Sequence, residues 1–238
     1  MKNKVALITG SSRGLGREIA LRMADVVSGI AVHYKDHRQE AEDIVSKIKQ
    51  KRKRSEAFRA DLTKVEEPGK LIRRIESTLG PVDILINNFG PIMVKPWDKV
   101  ELKEWEHILR ANLGSAFECL KAVLPGMRKR GWGRIINIGY SRAEQILAFP
   151  TITPYAIAKT GLLILTRTAA ATEYSSGITV NMVSPGLLKG GILPKSKNVP
   201  GVKLGTYKDV SEAMLFLISE EASFITGTNL IVSGGWKI

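Results

Sequence analysis

The chain has 238 residues, 44% of them hydrophobic and 25% charged, a balance that excludes disordered, fibrous and collagen-like chains and is enough for a large core. Lys and Arg number 36 against 23 Asp and Glu, a net charge of +13 that attracts anions such as nucleotides, phosphorylated molecules, nucleic acid or an acidic surface. One cysteine, Cys119, excludes an intrachain disulfide framework and sets a reducing, cytoplasmic setting as the expectation. The longest uncharged stretches, 145–158 and 174–188, are too short to cross a bilayer, and Pro and Gly interrupt them. Met1-Lys-Asn-Lys leads directly into a strand-like run and does not read as a signal peptide.

Apolar runs alternate with amphipathic segments from end to end. Lys4–Thr9 predicts a buried strand, Gly14–Ala24 a helix and Gly29–Tyr34 a second strand. Arg38–Gln50 predicts a helix, because Ala41, Ile44, Val45 and Ile48 recur at i, i+3, i+4 and i+7. Its basic continuation, Lys47 to Arg54, reads as the solvated end of a surface helix. No zinc-finger spacing or aromatic RNA-binding motif accompanies that run, so a nucleic-acid partner is not expected. Glu56–Ala60 predicts a strand, Glu66–Leu79 a helix, Val82–Asn87 a strand and Glu101–Arg130 a mostly helical stretch. Then come Arg134–Gly139 as a strand, Pro154–Glu173 as a helix and Gly177–Val183 as a strand. Asp209–Ser219 closes the helices and Thr228–Val232 the strands. Strands separated by helical crossovers imply parallel pairing, and near-continuous apolar strands imply a sheet covered on both faces. The expected fold is a doubly wound (Rossmann) three-layer α/β/α domain with a seven-stranded parallel sheet, spanning 1–238 without a linker or internal repeat.

Between the first strand and the first helix lies Thr9-Gly-Ser-Ser-Arg-Gly-Leu-Gly16. Glycines there permit a tight turn and let backbone N–H groups approach a pyrophosphate at a helix N-terminus. The spacing is neither G-x-G-x-x-G nor a phosphate-binding P-loop, since no Gly-Lys-Ser/Thr follows. It resembles the TGxxxGxG motif of the short-chain dehydrogenases/reductases. Asn87-Asn-Phe-Gly90 resembles their NNAG, and Tyr155-Ala-Ile-Ala-Lys159 matches YxxxK. Ser184-Pro-Gly186, Ile225-Thr-Gly227 and Ser233-Gly-Gly235 resemble their Pro-Gly turn and their C-terminal ITG and GG motifs. The resemblance covers essentially the whole chain in the family's order.

That resemblance implies a nicotinamide cofactor held by Gly10, Ser12, Arg13, Gly14, Leu15 and Gly16 of the loop. It further implies contacts from Asp61 and Leu62 at the adenine, Asn88 and Gly90 along the ribose, Tyr155 and Lys159, and the Pro185-Gly186 turn. Asn87 is as readily a residue that pins neighbouring strands. The acidic residue that favours NAD in the family aligns here with Tyr34, followed by Lys35, with Arg13 nearby. Two charge-assisted contacts to a 2′-phosphate would favour NADP(H) over NAD(H) by about a hundredfold. Asp36 argues the other way if the strand end shifts by two residues, and Arg38 is either a third phosphate contact or an ordinary helix-face residue.

Tyr155 and Lys159 fall on one face of one helix, with Thr153-Pro154 expected as N-cap and first helical residue. A phenol with pKa about 10 exchanges protons poorly at neutral pH, and a nearby ammonium lowers that value. The resemblance makes Tyr155 the general acid/base and gives Lys159 the nicotinamide ribose. It makes Asn112 the anchor of a proton-relay water, its bland alternative being a polar kink within the helix. The family's catalytic Ser has no exact counterpart: Tyr140 stands in its place and Ser141 comes one residue later. Ser141 is the expected carbonyl hydrogen-bond donor, with Tyr140 as the alternative source of that hydroxyl.

Other departures from the family are Phe89, which puts a ring where the motif has a small residue and is expected near the nicotinamide pocket, and a short substrate lid near 186–205. Lys189-Gly-Gly191 replaces the family's nicotinamide-contacting Thr. Cys119 reads as a buried structural thiol, and His33, His37 and His107 lack metal-ligand spacing, so no metal is expected. The expected activity is NADP(H)-dependent interconversion of a small-molecule carbonyl and a secondary alcohol, in a homo-oligomer (tetramer or dimer). The alternatives are a nucleotide-binding relative with reduced catalysis in a sensing or nucleic-acid-associated role, and an enoyl reductase, whose Tyr–Lys spacing is usually wider.

Overall fold

The computed structural model describes residue 1 and residues 3–191 and 203–236. Its strands are β1 (Val5–Ile8), β2 (Gly29–Tyr34), β3 (Arg54–Arg59), β4 (Val82–Asn87), β5 (Gly133–Ile138), β6 (Ile178–Pro185) and β7 (Asn229–Val232). They form one sheet in the order β3-β2-β1-β4-β5-β6-β7, and every pairing is parallel. The helices are α1 (Gly14–Met23), α2 (Arg38–Gln50), α3 (Glu67–Leu79), α4 (Leu102–Leu109), α5 (Ser115–Arg130), α6 (Thr153–Glu173) and α7 (Tyr207–Ile218).

Strand alternation divides the core between two faces. Ala6 and Ile8 of β1 join Ile19 and Met23 of α1, Ile44 and Ile48 of α2, and Val210 and Met214 of α7. Val5 and Leu7 turn the other way, toward Leu71 and Ile75 of α3, Val123 and Met127 of α5, and Ala169 of α6. All six residues of β2, β4 and β5 are buried, the consequence of a parallel sheet covered by helices on both sides. Cys119 is fully buried in the second of these layers, and burial pushes its thiol up to about 12. It is a structural, unreactive thiol.

The four apolar positions expected to bury on α2 are the four that do. Beyond Gln50 the basic run passes through an exposed turn into β3, with Lys49 paired to Glu56 and Lys51 to Asp25. Two predicted details differ. The 101–130 stretch is α4 and α5 joined by a π-turn over Arg110–Gly114. α6 starts at Thr153, whose hydroxyl donates to the Phe149 carbonyl at 2.6 Å, so Ile152 and not Thr153 is the N-cap.

Asn87 is spent on structure. Its Nδ2 donates to Asn137 Oδ1 at 2.9 Å, and Asn137 Nδ2 donates to Thr166 Oγ1 at 2.8 Å, a buried chain tying β4 to β5 and α6. Asn137→Ala is expected to strand the Asn87 donor and cost about 3 kcal/mol in a denaturant titration. A loss below about 0.5 kcal/mol would mean that this chain contributes nothing.

Candidate active site

The strand order reverses between β1 and β4, and in a doubly wound sheet the crevice outside the strand ends at that point receives ligands. The loop from Thr9 to Arg13 crosses it into α1. Thr9 fastens the loop: its hydroxyl donates to the Ile86 carbonyl and accepts the Asn88 and Phe89 amides at 2.9 Å each. Asn88 Nδ2 donates to the carbonyls of Thr9 at 2.9 Å and Gly10 at 3.1 Å. Gly10 and Gly14 take positive φ. A Cβ on Gly16 would stand 2.4 Å from the Gly10 carbonyl oxygen, so α1 approaches the loop closely only because residue 16 lacks a side chain. α1 opens with no side-chain cap and no acid in its first turn, leaving its N–H groups free for an anion.

A cleft of about 390 Å³ runs along this loop. Ser12, Arg13 and Leu15 line it on one side and Tyr34, Lys35 and Asp36 at the end of β2 on another. Asn88, Phe89, Gly90 and His107 continue it across the switch point. Lys35 is held 3.2 Å from Asp61, and Arg38 pairs with Glu42 of its own helix at 2.7 Å. Burial alone would raise Asp61, but hydrogen bonds from Thr63 and Lys35 outweigh it and hold the carboxyl below its usual range. Leu62 packs into the core, so only its backbone is left for a ligand. Phe89 lines the cleft, and its ring packs edge-to-face with His33 of β2, with centroids 6.2 Å apart.

Gly90, at φ 154°, packs against Asn112: a Cβ there would stand 2.2 Å from Asn112 Oδ1. Asn112 lies within the π-turn, as the polar-kink alternative required, and donates to the carbonyls of Pro91 and Ile108. Its Oδ1 is buried without a partner.

Tyr155 and Lys159 stand one turn apart on α6. Lys159 is 2% exposed, and its Nζ donates to the Ile138 carbonyl at the end of β5, at 2.7 Å. Its Nζ lies 5.6 Å from the centre of the Tyr155 ring. Burial lowers the ammonium to about 8. Burial, with a smaller contribution from Tyr140, pushes the Tyr155 phenol up, the reverse of the lysine-lowered value expected from sequence. The reason is geometric: Lys159 directs its charge to a backbone carbonyl, so the desolvation of the phenol is not offset. A protonated phenol is the form that can donate a proton. Since the unfolded chain holds the Lys159 proton up to 10.5 and the folded chain releases it near 8, this residue's stability contribution rises with pH across that window. Denaturant stabilities of wild type and Lys159→Met should diverge there in favour of wild type, by at most about 3 kcal/mol. A flat difference would refute the assignment.

Tyr140 is the ring brought against Tyr155, with centroids 5.6 Å apart, and it also meets Phe149, at 6.0 Å. Its hydroxyl is buried without a partner, and burial pushes it up to about 12. Ser141 is buried, with its amide donating to the Pro185 carbonyl at 3.0 Å. The Pro185-Gly186 turn lies against the end of β7, its Gly186 amide bonded to the Val232 carbonyl. The foot of the lid closes where Leu188 pairs with Gly205, and Gly205 exchanges backbone bonds with Leu187 and Lys189. The expected shortness of the 186–205 lid falls partly on 192–202, outside the described residues. Sequence reasoning missed His33, which it set aside with the other histidines, and the Thr9 staple.

A family model described as enoyl-(acyl carrier protein) reductase matches residues 10–237. The chain belongs to the short-chain dehydrogenase/reductase family. This oxidoreductase is 34% identical to the 3-oxoacyl-(acyl-carrier-protein) reductase FabG of Staphylococcus epidermidis, over 98% of each chain. Among solved structures, it resembles the acetoin dehydrogenase YohF of Salmonella typhimurium, with TM-score 0.89, 30% identity and coverage of 98% and 96% of the two chains. It also resembles a blue fluorescent protein from a metagenomic library in complex with NADPH, with TM-score 0.92, 32% identity and coverage of 100% and 99%. It is a short-chain oxidoreductase with a Rossmann fold. Among the described residues no helix is long and apolar enough to cross a membrane.

Proposed function

We propose that this chain is an NADP(H)-dependent reductase that interconverts a small-molecule carbonyl and a secondary alcohol, with Tyr155 as general acid/base. The observation that carries this reading is the Tyr155–Lys159 pair, fixed by the Lys159–Ile138 bond at the end of β5. The residues present fit a dinucleotide: the glycine loop, the end of β2 and the Asn88–Gly90 turn line one cleft at the switch point, and the N-terminus of α1 is uncapped. Bound NADPH would supply the hydride. Arg13 and Lys35 would meet a 2′-phosphate once Lys35 leaves Asp61, and Lys159 would hold the nicotinamide ribose. Tyr155 gives its phenolic proton to the substrate oxygen as the carbonyl is reduced, and takes it back in the reverse direction. The second hydroxyl toward that oxygen comes from the 140–141 turn, with Ser141 as the donor and Tyr140 as the alternative. Asn112, with its unpaired Oδ1, suits the far end of a proton relay.

The direct test is a titration with NADPH and NADH, followed by NADPH oxidation against a panel headed by 3-oxoacyl thioesters and acetoin, the chemistries named for its relatives. Tighter NADPH binding and turnover of a panel member support the reading. Equal or tighter NADH binding removes the cofactor preference. A second reading, a nucleotide-binding relative without turnover, draws on Tyr140 standing where the family's serine would be. Binding of NADPH with no oxidation across the panel would favour it.

The apolar groove lined by Leu113, Phe117 and Leu165, together with exposed Ile157 and Ile164 on α6, supports a homo-oligomer joined through α5 and α6. A monomer in light scattering at micromolar concentration would exclude it.

A further inference from the structure

We propose that His33 is a latch that sets the phosphate loop before any dinucleotide arrives, a positioning residue for cofactor affinity. The inference rests on the nucleotide-binding reading above. His33 lies in β2 and is 1% exposed, yet both its ring nitrogens are engaged. Nδ1 accepts the Gly10 amide at 2.8 Å, and Nε2 faces the Ala60 carbonyl at 3.1 Å. A carbonyl only accepts, so Nε2 carries the proton and Nδ1 is the bare acceptor: the two partners fix one neutral tautomer. The backbone of the same residue holds the next link of the loop. Its carbonyl accepts the Ser11 amide at 2.9 Å, and its own amide donates to Ser11 Oγ at 3.0 Å. His33 thus joins the first turn of the phosphate loop to the end of β3, beside Asp61, where the adenine is expected. The Phe89 ring packs against the imidazole in a T-shaped contact.

The consequence is preorganisation. The Gly10 amide is turned toward the imidazole and its carbonyl accepts from Asn88, so both backbone polar groups of that residue are committed. A loop already held in shape gives up less entropy when it closes on a ligand. The charged groups facing the ring are Arg74 of α3, which disfavours a second proton, and Asp61, which favours one. Burial dominates both and lowers the histidine to about 4, so the latch stays closed across the neutral range. Neither the family motif nor the relatives' names assign this residue a role.

Three variants test it. His33→Phe keeps the ring against Phe89 and removes both hydrogen bonds. His33→Asn keeps an acceptor where Nδ1 stands, and His33→Gln reaches toward Ala60 without restoring the Gly10 bond. Fluorescence titration with NADPH should show about a tenfold weaker Kd for His33→Phe and His33→Gln, and recovery to within about threefold for His33→Asn. In the ligand-free protein, hydrogen exchange of the 9–13 amides should speed up in His33→Phe and not in His33→Asn. Wild-type affinity in His33→Phe, or equal losses in the Asn and Gln variants, would overturn the latch while leaving the cofactor reading intact. If His33→Phe does not fold, the Asn and Gln comparison decides alone. Failure of wild type to bind NADPH would remove both readings together.

Discussion

Tyr155→Phe is expected to lower kcat for carbonyl reduction by about 10²- to 10⁴-fold, the range for losing a positioned general acid. The change deletes one oxygen from a half-buried ring and leaves the contact with Tyr140 in place, so the fold and the cleft persist. NADPH affinity should therefore hold within about threefold, because the change leaves the glycine loop and the uncapped start of α1 untouched. The proton has one obvious source: Lys159, the other titratable group on this face of α6, is bound to the Ile138 carbonyl and holds its ammonium at about 8. Stopped-flow NADPH oxidation together with an equilibrium titration separates the two quantities. Full turnover in the variant would end the assignment of Tyr155, and loss of NADPH binding with turnover would show that the residue acts through the cofactor site. The raised phenol also predicts that reduction, which consumes a protonated Tyr155, keeps its rate across the neutral range. Oxidation of the alcohol, which needs the deprotonated form, should rise with pH. A pH profile in both directions reads this, and parallel profiles would contradict it.

The second large effect is expected at Gly16→Ala. A Cβ there would stand 2.4 Å from the Gly10 carbonyl oxygen, 2.6 Å from Asn88 Nδ2 and 2.9 Å from Ser11 Cα. Two of those three atoms are backbone, so the loop must move and cannot relieve the clash by a rotamer change. Overpacking of this kind costs about 1–3 kcal/mol, and displacement of the loop disturbs the Asn88 bond to Gly10 as well. NADPH binding should weaken by about a hundredfold or more, and the thermal midpoint should fall. Gly131→Ala is the matching control for stability: it lies far from the cleft, and a Cβ there meets nothing within 4 Å, although its positive φ carries the ordinary strain of a helix C-terminus. If Gly16→Ala binds NADPH as tightly as wild type, the loop is not the cofactor's phosphate site.

Much of the fold could be read from local pattern. The four apolar positions of α2 recur at the helical period, and they bury because one stripe of a surface helix must face the sheet. The strands of the buried sheet read as unbroken apolar runs because helices cover both faces. The π-turn at Arg110–Gly114 was not legible, since one extra residue in a helical repeat leaves the period nearly unchanged. It matters to the site because it lies where Asn112 meets Gly90.

At the site itself, the order of glycine loop, Asn-Asn-Phe-Gly, Tyr-x-x-x-Lys and Pro-Gly was enough to identify the family, because short motifs spaced along the chain leave few alternatives when they agree. The spacing of Tyr155 and Lys159 alone put them on one helical face. What the spacing could not determine was where the lysine's charge goes. That depends on the end of β5, 21 residues away, whose Ile138 carbonyl takes the ammonium. Nor could it say which side chain of the 140–141 turn meets Tyr155, since a turn's side-chain directions follow from its backbone path. His33 is the plainest case: in sequence it is one of three scattered histidines, and only the parallel pairing of β1, β2 and β3 sets its ring between Gly10 and Ala60. Local patterning thus determined the elements and the family, because it reflects near-neighbour sterics and burial. The tertiary structure decided protonation and partners, because those depend on charges and carbonyls that strands bring together from distant parts of the chain.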